Sequence, residues 1–333
     1  MYSQQNSFSS ARSRCPVFVV GCHRSGTNLL YDTLLSAGGF AIYRGYLPIH
    51  KMLIPRFGSL NKIQNRKRVI QAWIRSKGFR RSGLDAGKLS TNLLAGAKNG
   101  GEFIRIVMDE IASSQNASRW GVYDPDNVLY MHEIKSEIPE ALFIHIVRDG
   151  RDIALSLKKM GEFRPFPWNR KSGSIRATAL YWKWMVEAGR ENGKAIPNDY
   201  IEVNFEELVA EPQNALRKLS AFLDHDLDYE RIQAAKLGRL REPNSSFQME
   251  GRQNPVNRWK ESLSPAQVAD IETLVGDCLQ NSGYSLTTPP DQREPRLGDK
   301  VMKYTFPAFL TVKRWVKINT PAGMMTNLSA LER

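Results

Sequence analysis

The sequence predicts a single α/β domain with three layers, α/β/α, in which helices cover both faces of a central, mostly parallel sheet. Two observations lead to this fold class. Short apolar runs alternate along the chain with segments that have helical periodicity. In addition, the runs Val17–Val20 and Ala141–Val147 are almost continuously apolar, which is typical of parallel strands that are buried on both faces.

The predicted elements begin after residues 1–15, a polar stretch that we expect to form a loose arm. The helix after the first strand covers Thr27 to about Ala37, because two glycines follow it. Phe40–Tyr43 is a candidate second strand. The later elements are helices within 62–115, a strand at 119–124, a helix at 127–139, the strand at 141–147, helices at 148–161 and 177–192, a strand at 200–203, and helices at 212–223 and 264–284. We expect the domain to cover 16–286 and a basic, aromatic tail to cover 287–333.

The composition is that of an ordinary globular protein of 333 residues, with 41% hydrophobic and 24% charged residues. No apolar run reaches the roughly 20 residues that span a bilayer, and the polar start lacks the apolar segment of a secretion signal. The three cysteines, Cys15, Cys22 and Cys278, lack the spacing of metal ligands. We therefore expect a cytoplasmic protein with free thiols and no bound metal.

The positive charge is concentrated in one part of the chain. The formal net charge is +13, and the window between Asp32 and Asp85 contains eleven Lys and Arg residues and no Asp or Glu. Such a window is either a solvated helix face or a surface that attracts an anionic substrate, an anionic membrane or nucleic acid. Because few aromatic residues accompany these charges, binding to nucleic acid is not expected.

The first candidate site follows the first strand, in the sequence GCHRSGTN. Gly21 and Gly26 have the spacing of a nucleotide-binding loop, G-x-x-x-x-G-K-[ST], but Thr27 stands where the lysine would be. The backbone N–H groups of Ser25–Asn28 can surround a phosphate at a helix N-terminus, and Arg24 adds a positive charge. This loop predicts a P-loop-like fold and a phosphate site that lacks the usual lysine.

A second candidate site follows the strand at 141–147. Arg148 stands at the end of this strand, and Ser156 lies in the next helix, four residues after Asp152. An arginine and a serine in these positions can hold one phosphate together. Two phosphate sites at one sheet edge indicate a ligand with phosphate groups at both ends, whereas ATP has one phosphate chain that requires lysine and Mg²⁺.

Together these residues resemble the sulfotransferases that use 3′-phosphoadenosine 5′-phosphosulfate (PAPS). GCHRSGTNLL is similar to that family's loop for the 5′-phosphosulfate, and IVRDGRDIALSL to its 3′-phosphate motif, with Arg148 and Ser156 at the matching positions. The segments 200–223 and 254–284 resemble later parts of the family, so the similarity covers about residues 16–285. The resemblance is to the bacterial branch and, more distantly, to tyrosylprotein sulfotransferases. It implies PAPS as the sulfuryl donor, no metal, and an acceptor hydroxyl or amine.

The sequence departs from this resemblance at two positions that concern the general base. Tyrosylprotein relatives have a glutamate base after the second strand, where this chain has YRGYLPIHK, and His50 is the candidate base there. Many relatives have a lysine before a [TD]-P pair, but Tyr123 holds that place before Asp124 and Pro125. This removes a cation that the resemblance implies near the transferring group. Asp124 is then the second candidate base, or alternatively a turn residue fixed before Pro125.

Three further residues are assigned through the same resemblance. Arg24 is expected to stabilise the charge that develops on the leaving nucleotide. In the segment before the last helix, Asn257 is a candidate for contact with the adenine, and Arg258 for contact with the 3′-phosphate.

The tail and the function each leave alternatives open. Residues 300–319 combine five cationic residues with four aromatic ones, which fits either contact with an anionic membrane or packing on the domain itself.

Two other functions are alternatives to a sulfotransferase. A P-loop-type phosphotransferase would act on a small substrate with ATP and Mg²⁺, and a non-catalytic module would bind polyanions or membranes without turnover. The favoured hypothesis is a PAPS-dependent sulfotransferase whose acceptor, a glycan, lipid or small metabolite, is unidentified.

Overall fold

The fold is built around parallel strands. The computed structural model describes residues 12–160, 174–235, 255–293, 295 and 297–332. Within them, one sheet contains β1 (Val17–Gly21), β2 (Gly121–Tyr123), β3 (Leu142–Val147) and β4 (Tyr200–Asn204), in the spatial order β2-β1-β3-β4. Every neighbouring pair is parallel, so the four strands end at the same edge of the sheet.

Alternate residues of the strands contribute to two apolar cores, one on each face of the sheet. In β1, Phe18 and Val20 belong to the larger core, and Val17 and Val19 belong to the smaller one. All four side chains are fully buried. Because successive side chains of a strand point to opposite faces, an unbroken apolar run is required where helices cover both faces. The predicted three-layer α/β/α architecture is confirmed.

The helices divide between the two faces. The smaller core is covered by α1 (Thr27–Ser36), α10 (Phe205–Ala210), α11 (Pro212–Leu223) and α12 (Tyr229–Ala235). The larger core is covered by α2 (Ile54–Phe57), α3 (Ile63–Ile74), α4 (Lys77–Ser82), α5 (Ala86–Gly96), α6 (Gly100–Ser114), α7 (Met131–Glu137), α8 (Gly150–Met160), α9 (Ile175–Lys194), α13 (Trp259–Ser262), α14 (Pro265–Asn281) and α15 (Leu297–Asn319).

The strand predicted at Phe40–Tyr43 is wrong. Only Phe40 makes a strand-like bridge, to Arg119, and the segment is otherwise irregular. The reason is that a side chain takes the place of a neighbouring strand: Gln115 accepts the N–H of Ile42 at 2.7 Å and donates to its carbonyl at 3.0 Å. The backbone is thereby satisfied without a ladder.

The two ends of the chain pack on the domain where they are described. Most of the predicted arm lies outside the described residues, but its last part is attached, because Arg12 donates to the carbonyl of Asn198 at 2.7 Å. In the tail, α15 buries Phe306 and Leu310 in the larger core. Among the helices that the structure describes, none is both long and apolar enough to cross a bilayer.

Candidate active site

Each strand ends at the same sheet edge, and the first three strands of the chain end next to a group that the sequence analysis singled out. The strand β1 leads into the glycine-containing loop, β2 into Asp124, β3 into Arg148 and β4 into Phe205. In parallel sheets this edge is the usual ligand site, since helix N-termini point to it. The topology therefore brings both phosphate motifs to one place.

The loop after β1 has an unusual backbone. Arg24 and Gly26 lie in the left-handed region, with φ of 74° and 99°. A Cβ at Gly26 would lie 2.4 Å from the ring of Phe205, so glycine is required there. Ser25 is fully buried and donates its hydroxyl to the carbonyl of Cys22 at 2.7 Å. The side chain of Ser25 therefore shapes the loop from inside.

The N-terminus of α1 directly follows this loop. Gly26 is its N-cap, and within the described residues no side chain caps the helix. Thr27, the first helical residue, is buried, whereas Asn28 is exposed. The free N–H groups of the first turn are consequently available to an anion, as at other phosphate-binding helix N-termini.

A pocket of about 250 Å³ joins the two motifs. Arg24, Arg148, Ser156 and Arg258 all line it, and Lys159 lies in the same wall. The Nε of Arg24 donates to the Oγ of Ser156 at 3.0 Å. Four cations and a hydroxyl thus converge on one small pocket, an arrangement that can hold a phosphate group.

Arg148 is fixed in the wall of this pocket. Its guanidinium donates to the carbonyls of Arg24 and Pro255 and lies 4.5 Å from the centre of the Phe205 ring. Burial lowers the pKa of Arg148, although the carboxylate of Asp152, 3.6 Å away, opposes this. Its Nε is buried and has no hydrogen-bond partner among the described residues. A phosphate oxygen would satisfy this donor, so the residues present fit the proposed ligand group.

Asp152 holds the turn that brings Arg258 to the pocket. Its carboxylate accepts the N–H of Asn257 at 3.0 Å and that of Trp259 at 2.9 Å. Asn257 has a left-handed φ of 63°, and Trp259 is buried over the guanidinium of Arg151 at 3.9 Å. Asn257 thus contributes its backbone to the turn, and its contact with adenine stays a prediction.

A second polar cluster begins at His23, the residue next to Arg24. The Nε2 of His23 lies 3.0 Å from the Oδ2 of Asp126, which also accepts from the Nζ of Lys51. Burial lowers the pKa of His23, but the charge and hydrogen bond of Asp126 outweigh it and raise the pKa overall. Burial likewise opposes the charge of Lys51, and the nearby carboxylates raise its pKa. Lys51 therefore supplies a cation near β2, where Tyr123 replaces the expected lysine.

Asp124 lies beside this cluster. Its side chain is buried, Oδ1 accepts the N–H of Asp126 at 3.1 Å, and Oδ2 has no partner among the described residues. Burial raises the pKa of Asp124 to about 6, and the negative charge of Asp126 adds to this shift, while Lys51 opposes it. Its free oxygen and its position next to the loop keep Asp124 a candidate base.

His50 lies in a different environment. Its Nε2 is 2.7 Å from the Oε2 of Glu137, and that oxygen also accepts the N–H of Gly101 at 2.7 Å, in the first turn of α6. The imidazole is buried and does not line the pocket formed by Arg24 and Arg148. The structure therefore joins His50 to Glu137 and not to the phosphate loop.

Three charged groups of the site were missed in the sequence. Lys159 follows Ser156 by three residues, a spacing that predicts the same helix face. Lys51 was counted only among the charges of the basic window. His23 stands inside the loop motif, but only its contact with Asp126 distinguishes it. Within the described residues, no group of three or more His, Cys, Asp and Glu side chains could hold a metal ion.

Comparisons with known proteins agree with this geometry. The model of the sulfotransferase family matches residues 16–229. Cytosolic sulfotransferase 4 of Arabidopsis thaliana is 31% identical over 110 residues. That match spans 31% of this chain and 36% of the plant protein.

Solved structures share the fold. The sulfotransferase domain of the olefin synthase from Synechococcus PCC 7002 superposes with a TM-score of 0.53 and 16% identity, over 82% of this chain and 96% of that one. The sulfotransferase domain from the curacin biosynthetic pathway gives 0.54 and 16%, over 82% and 100%. The family model covers more than half of the chain, and residues of both candidate phosphate motifs of the chain line one pocket. The chain therefore belongs to the sulfotransferase family.

Proposed function

We propose that the protein is a PAPS-dependent sulfotransferase, which moves a sulfuryl group from PAPS to a hydroxyl or amine of an acceptor. The observation that carries this proposal is the pocket of about 250 Å³, where Arg24, Arg148, Lys159 and Arg258 meet the hydroxyl of Ser156. The loop that precedes α1 lies at the edge of this pocket, because Arg24 of the loop lines the pocket. Membership of the sulfotransferase family supports the same donor.

In this proposal the two motifs bind opposite ends of the donor. Arg148, Ser156 and Arg258 hold the 3′-phosphate, and the loop N–H groups with Arg24 hold the 5′-phosphosulfate. During transfer, negative charge builds up on the oxygen that bridges phosphorus and sulfur. We expect Arg24 to stabilise this charge, because it belongs to the loop that holds the 5′-phosphosulfate in this proposal.

We assign the general base to His23. The bond between the acceptor oxygen and sulfur forms while the bond between sulfur and the bridging oxygen breaks; the acceptor proton passes to the imidazole, and 3′-phosphoadenosine 5′-phosphate (PAP) leaves. Asp126 holds Nε2 at 3.0 Å, which leaves Nδ1 to receive the proton. Asp124 is the alternative base, whereas His50 is committed to Glu137.

The decisive experiment is a calorimetric titration of the full chain with PAP without metal, beside ATP with Mg²⁺. We expect PAP to bind tightly and ATP–Mg²⁺ to bind weakly. A phosphotransferase would show the reverse order. A non-catalytic module would bind polyanions in a salt-sensitive way and release no PAP from PAPS with any acceptor.

We also propose that the protein is cytoplasmic and that it contacts an anionic membrane through α15. One face of this helix is apolar and more than half exposed. The large exposed side chains of this face recur at helical spacing; they are Leu297, Val301, Tyr304, Val312 and Trp315. Phe306 and Leu310, on the opposite face, attach the helix to the domain. Lys300, an exposed cationic residue of the same helix, complements anionic headgroups.

A further inference from the structure

A second cavity, of about 500 Å³, lies between the 46–52 segment and the C-terminal tail. Its walls include the apolar side chains of Met52, Val316 and Met325 and the cationic side chains of Lys51, Lys313 and Lys317. None of the described residues that line it is acidic. An apolar cavity with a few convergent polar groups is the usual form of a small-molecule site.

The two tail lysines lie on the domain-facing side of α15, where Lys317 is half-buried and Lys313, which also lines the cavity, is exposed. Phe306, Leu310, Lys313 and Lys317 recur at spacings of four, three and four residues, so they form one stripe of α15. The first two pack into the larger core, and the last two line the cavity. The stripe that faces the domain therefore changes from apolar to cationic where the cavity begins.

The positive charge of the cavity is only partly balanced. Lys51 pairs with Asp126, but no carboxylate of the described residues forms an ion pair with Lys313 or Lys317. Burial lowers the pKa of Lys317, and the charges of Lys51 and Lys313 lower it further, whereas Asp126 opposes them. An anion between these lysines would relieve both effects.

The wall also contains an unused hydrogen-bonding group. The Oγ1 of Thr326 is buried and has no partner among the described residues, although Thr326 lines the cavity. A buried hydroxyl without a partner is unfavourable, and a ligand oxygen would satisfy it.

The cavity is connected to the reacting groups through Lys51. Lys51 lines the cavity, and its Nζ contacts Asp126, which in turn holds His23. A molecule that contacts Lys51 in the cavity is therefore linked to His23, the group that we assign as the base, through Lys51 and Asp126.

We propose that this cavity is the acceptor site and that the acceptor is an anionic amphiphile. Such a molecule has an apolar body, a hydroxyl that receives the sulfuryl group, and a carboxylate or phosphate that Lys313 and Lys317 bind. This proposal rests on the proposed function in one respect: it identifies the molecule bound in the cavity as the acceptor of the sulfuryl group.

The test uses two probes of equal length, 12-hydroxydodecanoate and uncharged 1,12-dodecanediol, titrated calorimetrically into the full chain with PAP present. The carboxylate probe is expected to bind at least about 10-fold more tightly than the diol, and the difference should shrink at high salt. Lys317→Met should weaken the carboxylate probe about 10-fold and leave the diol unchanged. The control Lys98→Met removes the same charge from an exposed position outside the cavity and should change neither.

Separate readings distinguish the two proposals. PAP affinity is measured first for each variant: if the parent does not bind PAP, the proposed function fails. If PAP binds but the carboxylate probe does not, or binds no better than the diol, the acceptor proposal is overturned alone. An unchanged affinity of Lys317→Met for the carboxylate probe would overturn it as well.

Discussion

Arg24 and Ser156 are 132 positions apart in the chain, and the Nε of Arg24 donates to the Oγ of Ser156 at 3.0 Å. This hydrogen bond joins the loop after β1 to the helix after β3, the two elements that carry the phosphate motifs. The neighbour of Arg24, His23, bonds instead to Asp126. Two consecutive side chains thus connect the donor pocket with the candidate base.

Alanine substitutions in the pocket should separate binding from turnover. We expect Arg148→Ala to weaken PAP binding about 100-fold and Ser156→Ala about 10-fold, because hydrogen bonds from charged groups contribute about 1.5–3 kcal/mol and neutral ones about 1 kcal/mol. Arg24→Ala should lower kcat more than PAP affinity. Calorimetry and labelled PAPS measure the two effects, with the exposed Arg217→Ala as control. Folded variants with parental affinity and turnover would exclude this donor site.

The loop glycine offers a test of backbone shape. Gly26→Ala places a Cβ 2.4 Å from the Phe205 ring at a φ of 99°, so the loop has to move. We expect PAP affinity to fall more than about 100-fold, since several N–H contacts to one phosphate are lost together. Gly38→Ala is the matched control, because its φ is also positive, 83°, but nothing lies within 4 Å of its Cβ. Equal PAP affinities of the two variants would contradict this account.

Substitution of His23 tests the assignment of the base. His23→Gln should lower kcat about 10²- to 10⁴-fold and leave PAP affinity nearly unchanged. The base must be neutral, so kcat rises with pH through its pKa. Asp126 raises that pKa, and Asp126→Asn should therefore move the acidic limb of the profile to lower pH with a smaller maximum. The acceptor is one found by screening with labelled PAPS. If Asp124→Asn removes turnover while His23→Gln retains it, Asp124 is the base.

The stability of the fold should depend on pH through His145. This residue of β3 is fully buried, and burial lowers its pKa to about 4, although Glu202 opposes the shift. In the unfolded chain His145 takes up a proton below pH 6.5, whereas in the fold it stays neutral down to about pH 4. Its contribution is thus fully present above pH 6.5 and is lost as the pH falls towards 4, by roughly 3 kcal/mol. The free energy of unfolding, measured with urea, should fall less steeply with decreasing pH for His145→Gln than for the parent. Equal slopes for the two proteins would refute this.

Membrane contact is tested with vesicles. The full chain should sediment with vesicles that contain phosphatidylglycerol and much less with phosphatidylcholine alone. The double variant Val312→Glu and Trp315→Glu places charges on the exposed apolar face and should abolish sedimentation. Ile63→Glu is the control, because Ile63 is similarly exposed, 53%, but lies on α3. Equal sedimentation of the parent and the double variant would rule out α15 as the contact.

Local sequence signals were sufficient for the strand framework and for most of the side chains that line the proposed donor pocket. The strand runs predict β1 and β3 because a parallel strand buried on both faces must be apolar throughout. The two motifs predict Arg24, Arg148 and Ser156, since a phosphate site combines a loop at a helix N-terminus with hydroxyl and cationic groups. Arg258 was assigned through the resemblance to the family. The strand predicted at Phe40–Tyr43 failed because a distant glutamine side chain satisfies its backbone.

The sequence by itself determined the family, the parallel strands and the two phosphate motifs, because each strand or motif is a run of residues close together in the chain. Only the tertiary structure decided the rest. The tertiary structure paired His50 with Glu137 and brought Lys51 and Asp126 to His23. It also placed Lys313 and Lys317 in the wall of a cavity. These contacts join residues that are far apart in the chain, and the packing of whole helices sets the direction of each side chain.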